Sequence, residues 1–178
     1  MQFAVNTSRP LLALLKEESI AIDLVKCPAW PDLIGEALAV SPCYVHTPLT
    51  VGSGRGVIDS ETGAPPDWEG KIRPVLALSN TGWVAAHFNP LLTDYPDMPP
   101  DSDHPRDIDE VIASGIADVR EVLRHFPADQ VLLENCPGHY GDIVRPGIMP
   151  AVISAIIEAT GVGLLLDRFP GRVVGACA

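Results

Sequence analysis

The sequence lacks an excess of basic residues. Its 178 residues include 23 acidic and only 12 basic side chains, which gives a formal charge of −11. A surface that binds nucleic acid or an anionic membrane needs clustered lysine and arginine to replace counterions. We therefore expect no nucleic-acid partner and no membrane partner.

The sequence also lacks any long apolar run. Its longest candidate, residues 151–157, is far too short to span a bilayer. The N-terminal residues show no basic segment followed by a long apolar stretch, so no signal peptide is predicted. Four widely spaced cysteines form no C-x-x-C pair and predict reduced, mostly buried thiols: Cys27, Cys43, Cys136 and Cys177. These absences predict a cytoplasmic protein.

What the sequence does contain is an alternation of short apolar runs with amphipathic helical stretches. A hydrophobic content of 47% is enough to form a core. Strands are predicted at residues 3–6, 20–27, 43–48, 83–89, 130–135 and 163–167. Helices are predicted at residues 9–17, 31–40, 68–78, 108–126 and 146–160. The alternation predicts an α/β fold of about six parallel strands joined by right-handed crossovers, as an open doubly wound sheet or a barrel.

A glycine-rich loop, residues 51–66, follows the third predicted strand. It contains Gly52, Gly54 and Gly56 but has no obvious helix start after them. The pattern is therefore weak as a phosphate-binding loop, and a mobile lid is the favoured interpretation.

Metal-competent side chains occur at the carboxyl ends of four consecutive predicted strands. They are His46, His87, Glu134 and Asp167. In a parallel barrel these ends converge on one mouth, where active sites of that fold lie. Two imidazoles and two carboxylates suit Zn, Mn or Fe better than a cysteine-rich structural zinc site. The sequence thus predicts a divalent-metal site, with a purely structural polar cluster as the alternative.

Three further side chains are expected near the same mouth. Asn6 ends the first strand, Lys26 closes the second, and His139 lies in the loop after Glu134. Lys26 could bind an anionic group of a substrate or could be an ordinary solvated lysine. We expect these residues to contact substrate or to support the metal ligands.

Several of these segments together resemble a known family. The segments are Phe3-Ala4-Val5-Asn6, Lys26-Cys27-Pro28-Ala29-Trp30-Pro31-Asp32, Val45-His46, Ala86-His87-Phe88, Leu133-Glu134-Asn135-Cys136-Pro137 and Leu164-Leu165-Leu166-Asp167. They resemble uncharacterised xylose-isomerase-like TIM-barrel proteins, relatives of the iron-containing oxidase subunit of methanobactin biosynthesis. The resemblance covers residues 1–167.

The resemblance implies a barrel with a divalent metal at its mouth. Its ligands would be His46, His87, Glu134 and Asp167, with Asn135 beside them as a ligand or a supporting residue. Superfamily chemistry includes sugar isomerisation and epimerisation, phosphodiester cleavage and iron-dependent peptide oxidation, and fold alone does not choose among these. In the enzymatic interpretation Glu134 and Asp167 are the candidate catalytic residues, because a carboxylate near the metal could move a proton.

The sequence departs from the family pattern after Asp167. A Ser-His-Ala-like stretch usually follows there, whereas this chain continues with Arg168, Phe169 and Pro170. A closed barrel needs eight strands and about 250 residues. We therefore expect a C-terminally incomplete barrel over residues 1–167, an irregular tail over residues 168–178, and self-association through open edges.

Three functions follow as expectations. The first is a metal-dependent enzyme of the isomerase/epimerase or iron-oxidase kind, acting on a small molecule or a peptide. The second is a truncated, non-catalytic remnant or interaction subunit. The third and least favoured is a metal-dependent phosphodiesterase, because a charge of −11 is unsuited to a polyanionic substrate.

Overall fold

A computed structural model describes residues 2–135 and 142–166. Within these residues the chain forms eight short strands and five α-helices. The strands are β1 (Ala4–Asn6), β2 (Leu24–Pro28), β3 (Cys43–His46), β4 (Leu49–Val51), β5 (Ile58–Asp59), β6 (Val84–Phe88), β7 (Val131–Glu134) and β8 (Gly163–Leu165). The helices are α1 (Arg9–Lys16), α2 (Pro31–Leu38), α3 (Arg73–Leu78), α4 (Pro105–Val122) and α5 (Pro150–Thr160).

The strands form two sheets. The first has the order β1-β2-β3 and is parallel throughout. The second has the order β5-β4-β6-β7-β8, and every pair in it is parallel except β4 with β5. Only Thr47 and Pro48 separate β3 from β4, so the chain passes almost directly from one sheet to the other. The predicted α/β fold with parallel strands is confirmed, while the strands of residues 2–135 and 142–166 do not close into a barrel.

Strands of both sheets direct polar side chains to one shared inner face. The Lys26 ammonium on β2, in the first sheet, lies 2.7 Å from a carboxylate oxygen of Glu134 on β7, in the second sheet. This contact places side chains of the two sheets on the same inner face.

Alternation along the strands separates an apolar face from this inner face. The apolar positions join one buried core with the helices and include Val25, Cys27, Val45, Ala86 and Leu133. The intervening positions carry the polar side chains, because successive residues of a strand point to opposite faces. The buried free thiols of Cys27 and Cys43 agree with the sequence prediction, whereas Cys136 and Cys177 lie outside the described residues.

Prolines mark the helix starts. Each of the five α-helices has a proline in its first two positions, where no hydrogen-bonded N–H is needed: Pro10, Pro31, Pro74, Pro105 and Pro150. The turn before α3, Trp68–Ile72, is wound as a π-helix, and Pro74 cannot donate to the carbonyl four residues before it. Helix α5 ends at Gly161, whose φ of 74° suits glycine.

Some element boundaries differ from the predictions. The second strand begins at Leu24 rather than at residue 20. The third predicted strand ends at His46 rather than at residue 48, and a separate strand that was not predicted, β4, follows it. The glycine-rich loop contains the short antiparallel strand β5. The last predicted helix begins at Pro150, after a separate 3₁₀ turn at Arg145–Ile148, because a residue that precedes proline disfavours the α conformation.

None of the helices within the described residues combines the length and the apolar character needed to cross a membrane.

Candidate metal centre

Three of the four predicted metal ligands meet on the inner face. His46 ends β3, His87 is the next-to-last residue of β6, and Glu134 ends β7. His87 and Glu134 are direct register partners on adjacent parallel strands. The carboxyl ends of the strands therefore bring these side chains together, as the sequence predicted.

The distances among the three ligand atoms are those of a group that could hold a metal ion. Oε2 of Glu134 lies 3.5 Å from Nε2 of His46 and 3.5 Å from Nε2 of His87. A tetrahedral metal with bonds of about 2.0–2.1 Å separates its ligand atoms by roughly 3.3–3.5 Å. The two histidine nitrogens are only 2.7 Å apart, so binding a metal between them would require them to move apart by roughly a further 0.6–0.8 Å. All ligand atoms of the group lie within 4.8 Å of one another.

Glu134 carries a buried charge. Its side chain is 1% exposed, and its Oε1 accepts a hydrogen bond from Lys26 at 2.7 Å. Its Oε2 has no hydrogen-bond partner among the described residues. Burial alone would raise the pKa of Glu134, but the contacts with His46 and Lys26 outweigh it and lower that pKa to about 2. The group is thus a carboxylate with one buried oxygen aimed at two imidazole nitrogens.

His87 is held in the form that a metal requires. Its Nδ1 lies 3.2 Å from the carbonyl oxygen of Leu49, which can only accept a hydrogen bond. Nδ1 therefore carries the proton, and Nε2 of the neutral ring presents a lone pair. Burial, the largest influence, lowers the pKa of His87 and favours that neutral form. Nε2 of His46 donates to this lone pair in the present arrangement.

The other predicted site residues differ in whether they contact this cluster. Lys26 contacts Glu134, and Asn6 is an exposed residue in register with Lys26 at the end of β1. The backbone N–H of Asn135 donates to the carbonyl of Leu165 at 3.3 Å. Asp167 and His139 lie outside the described residues, so their roles stay predictions.

The sequence analysis missed Asp118, which lies on α4 and is 1% exposed. Its Oδ2 accepts from the backbone N–H groups of Gly52 at 2.8 Å and Gly54 at 3.0 Å, and its Oδ1 accepts from Gly56 at 2.9 Å. The first part of the glycine-rich loop is therefore anchored to α4 rather than free as a lid. Its N–H groups are also unavailable to a phosphate, because the carboxylate of the protein already occupies them.

One sequence signal could have revealed Asp118. It follows Val111 by seven residues and precedes Val122 by four, which places it within the apolar stripe of α4. A carboxylate at such a position is buried and needs donors, and three closely spaced glycines offer backbone N–H groups without side chains in the way.

Comparisons with known proteins do not assign this chain to a family. No protein-family model matches the sequence, and no curated protein matches it. The arginine decarboxylase of Paramecium bursaria Chlorella virus bound to agmatine is similar to this chain with a TM-score of 0.42 and 12% identity. A mutant of SrLDC in complex with PLP gives a TM-score of 0.40 and 12% identity.

The matched regions cover 93% of this chain but only 43–44% of those two chains, so the chain spans less than half the length of the structures it matches. Similarity at this level extends neither their ligands nor their activities to this chain. The xylose-isomerase-like resemblance stays a prediction.

Proposed function

We propose that this chain binds a divalent metal ion through His46, His87 and Glu134 and acts as a metal-dependent enzyme. The observation that carries the proposal is the buried, unpartnered Oε2 of Glu134, which lies 3.5 Å from both histidine nitrogens. A buried acceptor without a partner costs about 1–3 kcal/mol, and more when it is charged. A cation between the three ligand atoms would remove that cost.

Two histidines and one carboxylate are a ligand set with known chemical uses. In catalytic zinc sites such a set leaves the fourth position open for water or substrate. The same composition with open positions binds iron(II) in non-haem oxygenases. A metal here would polarise a carbonyl or hydroxyl group as a Lewis acid. This chemistry supports the isomerase or epimerase function that the family resemblance implies, and iron would support an oxidase.

The experiment measures metal content across a size-exclusion peak of the purified full chain, by elemental analysis for Zn, Mn and Fe. We expect about one metal ion per chain in a discrete species. A metal-free chain that also fails to bind added Zn²⁺, Mn²⁺ or Fe²⁺ would contradict the proposal and favour the non-catalytic remnant.

A matched pair of variants assigns the site. Glu134→Gln preserves volume and removes the charged ligand, so we expect its metal affinity to fall by at least about 100-fold, because even residues that only support the ligands contribute 10–100-fold. Glu158→Gln makes the same chemical change on the exposed face of α5 and should leave metal affinity unchanged. Equal affinity in the two variants would remove Glu134 from the site.

A further inference from the structure

We propose that Lys26 makes this metal centre a binding site for oxyanions, so that its substrate carries a carboxylate or an equivalent anionic oxygen group. The inference rests on the proposed function, because it concerns the ligand that the bound metal accepts. It is carried by the ion pair between Lys26 and Glu134 and by the arrangement of the two carboxylate oxygens.

Each oxygen of Glu134 has a separate role. Lys26 contacts Oε1 at 2.7 Å, whereas the two histidine nitrogens face Oε2. A metal on Oε2 would leave the Lys26 contact in place. The ammonium then lies on the far oxygen of the carboxylate that binds the metal, so its positive charge stays close to the centre.

The sum of charges at this centre favours an anion. Lys26 and Glu134 cancel one another, and histidines add no charge when they bind a metal, so a divalent metal leaves a net charge of +2 on these groups. Glu134 is the single carboxylate that the described residues place at the carboxyl ends of the parallel strands. One further carboxylate from elsewhere would still leave a positive centre. The metal also has at least one position not filled by His46, His87 and Glu134.

The acidic character of the whole chain does not cancel this local charge. The formal charge of −11 is spread over 178 residues, and salt screens exposed charges beyond about 8–10 Å. The side chains of Lys26 and Glu134 are 14% and 1% exposed, so their charges are screened far less. Nearby anions are therefore attracted by the centre itself.

The role of Lys26 has a signature that a purely structural role would not produce. A positive charge beside the centre attracts an anion but repels a divalent metal. Lys26→Met should therefore weaken oxyanion binding and leave metal affinity unchanged or higher. Loss of a structural support would instead weaken both.

The test uses the full chain loaded with Co²⁺, whose visible absorption reports changes in its ligands. Acetate, inorganic phosphate and the neutral analogue acetamide serve as probes in a buffer without other coordinating anions. We expect acetate or phosphate to change the spectrum of the wild-type protein at concentrations at least about tenfold lower than acetamide. Lys26→Met should retain Co²⁺ and bind these anions at least about tenfold more weakly, while Lys26→Arg keeps the charge and most of the anion affinity.

The outcomes separate the two proposals. A wild-type protein that binds no Co²⁺ would overturn the proposed function, and this inference with it. A protein that binds Co²⁺ but prefers neither anion over acetamide, or a Co²⁺-loaded Lys26→Met that binds anions like the wild type, would overturn only the inference. If circular dichroism shows that Lys26→Met does not fold, Lys26→Gln takes its place in the same anion titrations. The comparison of acetate with acetamide in the wild-type protein tests the inference without any variant.

Discussion

Replacing Asp118 should release the glycine-rich loop and destabilise the protein. The carboxylate accepts three backbone hydrogen bonds at 2.8–3.0 Å, from Gly52, Gly54 and Gly56. A hydrogen bond to a charged group contributes about 1.5–3 kcal/mol, so three together set an upper bound of about 9 kcal/mol. The true loss is smaller, because the loop is partly exposed and its freed N–H groups would bind water.

Asp118→Asn is the most informative substitution. Its single amide oxygen can replace Oδ2 and keep the bonds from Gly52 and Gly54, but its NH₂ group then faces the N–H of Gly56. We therefore expect the free energy of unfolding to fall by about 2–3 kcal/mol, and by about 3–5 kcal/mol for Asp118→Ala. At this chain length each kcal/mol lowers Tm by about 2–4 °C.

The assay is urea denaturation followed by circular dichroism, with Asp109→Asn as the control. Asp109 lies on the same helix but is exposed, so its substitution should change stability by less than about 0.5 kcal/mol. Trypsin adds a local measurement, because Arg55 lies within the anchored segment and its side chain is 66% exposed. Faster cleavage after Arg55 is expected in the Asp118 variants. Asp118→Asn and Asp109→Asn variants of equal stability would refute the proposed anchoring.

Two other predictions concern packing and pH. Gly115→Ala should lower Tm despite a helix-propensity gain of about 1 kcal/mol, because the new Cβ would lie 2.5 Å from Cδ1 of Ile156. Gly35→Ala is the control: its new Cβ would have no atom within 4 Å, so Tm should rise. Tm shifts of the same sign in both variants would contradict the close packing at Gly115. Burial alone would raise the pKa of Asp59, but hydrogen bonds from Lys71 and backbone N–H groups lower it below 3.8. The ionised carboxylate therefore stabilises the folded protein at any pH above the pKa that Asp59 has in the unfolded chain. This stabilisation is lost as pH falls through the lower pKa of the folded state. Urea titrations at about pH 5 and about pH 2 should therefore show a smaller loss of stability in Asp59→Asn than in the wild type, and equal losses would exclude this role.

The order of strands and helices could be predicted because the apolar runs and prolines are strong local signals. The run of residues 131–133 is apolar on both faces, as a covered parallel strand requires. The short strands β4 and β5 could not be predicted, because three and two residues carry too little periodicity. They pair with each other across the glycine-rich loop, whose first part is anchored to Asp118 by a tertiary contact.

The sequence could predict which strand ends carry the candidate site, but it could not predict the contacts between the side chains there. His46, His87 and Glu134 were expected together because parallel strands present their carboxyl ends on one side. The contact between Lys26 and Glu134 joins residues that lie 108 positions apart in the sequence and in two different sheets. No local pattern encodes how the two sheets lie beside each other.

Stability alone is a poor account of this cluster. A buried ion pair often contributes less to folding than apolar residues of similar volume, because both charges lose their hydration. Here Oε1 of Glu134 accepts a short hydrogen bond from Lys26, whereas Oε2 has only the two histidine nitrogens at 3.5 Å and accepts no hydrogen bond among the described residues. An arrangement selected only for stability would have satisfied both oxygens or used an apolar side chain after Leu133. A cation on Oε2 would satisfy the remaining oxygen, and an anionic ligand completing its coordination would offset the charge that the cation adds. The proposed metal and anion binding would therefore compensate what folding alone leaves uncompensated in this cluster.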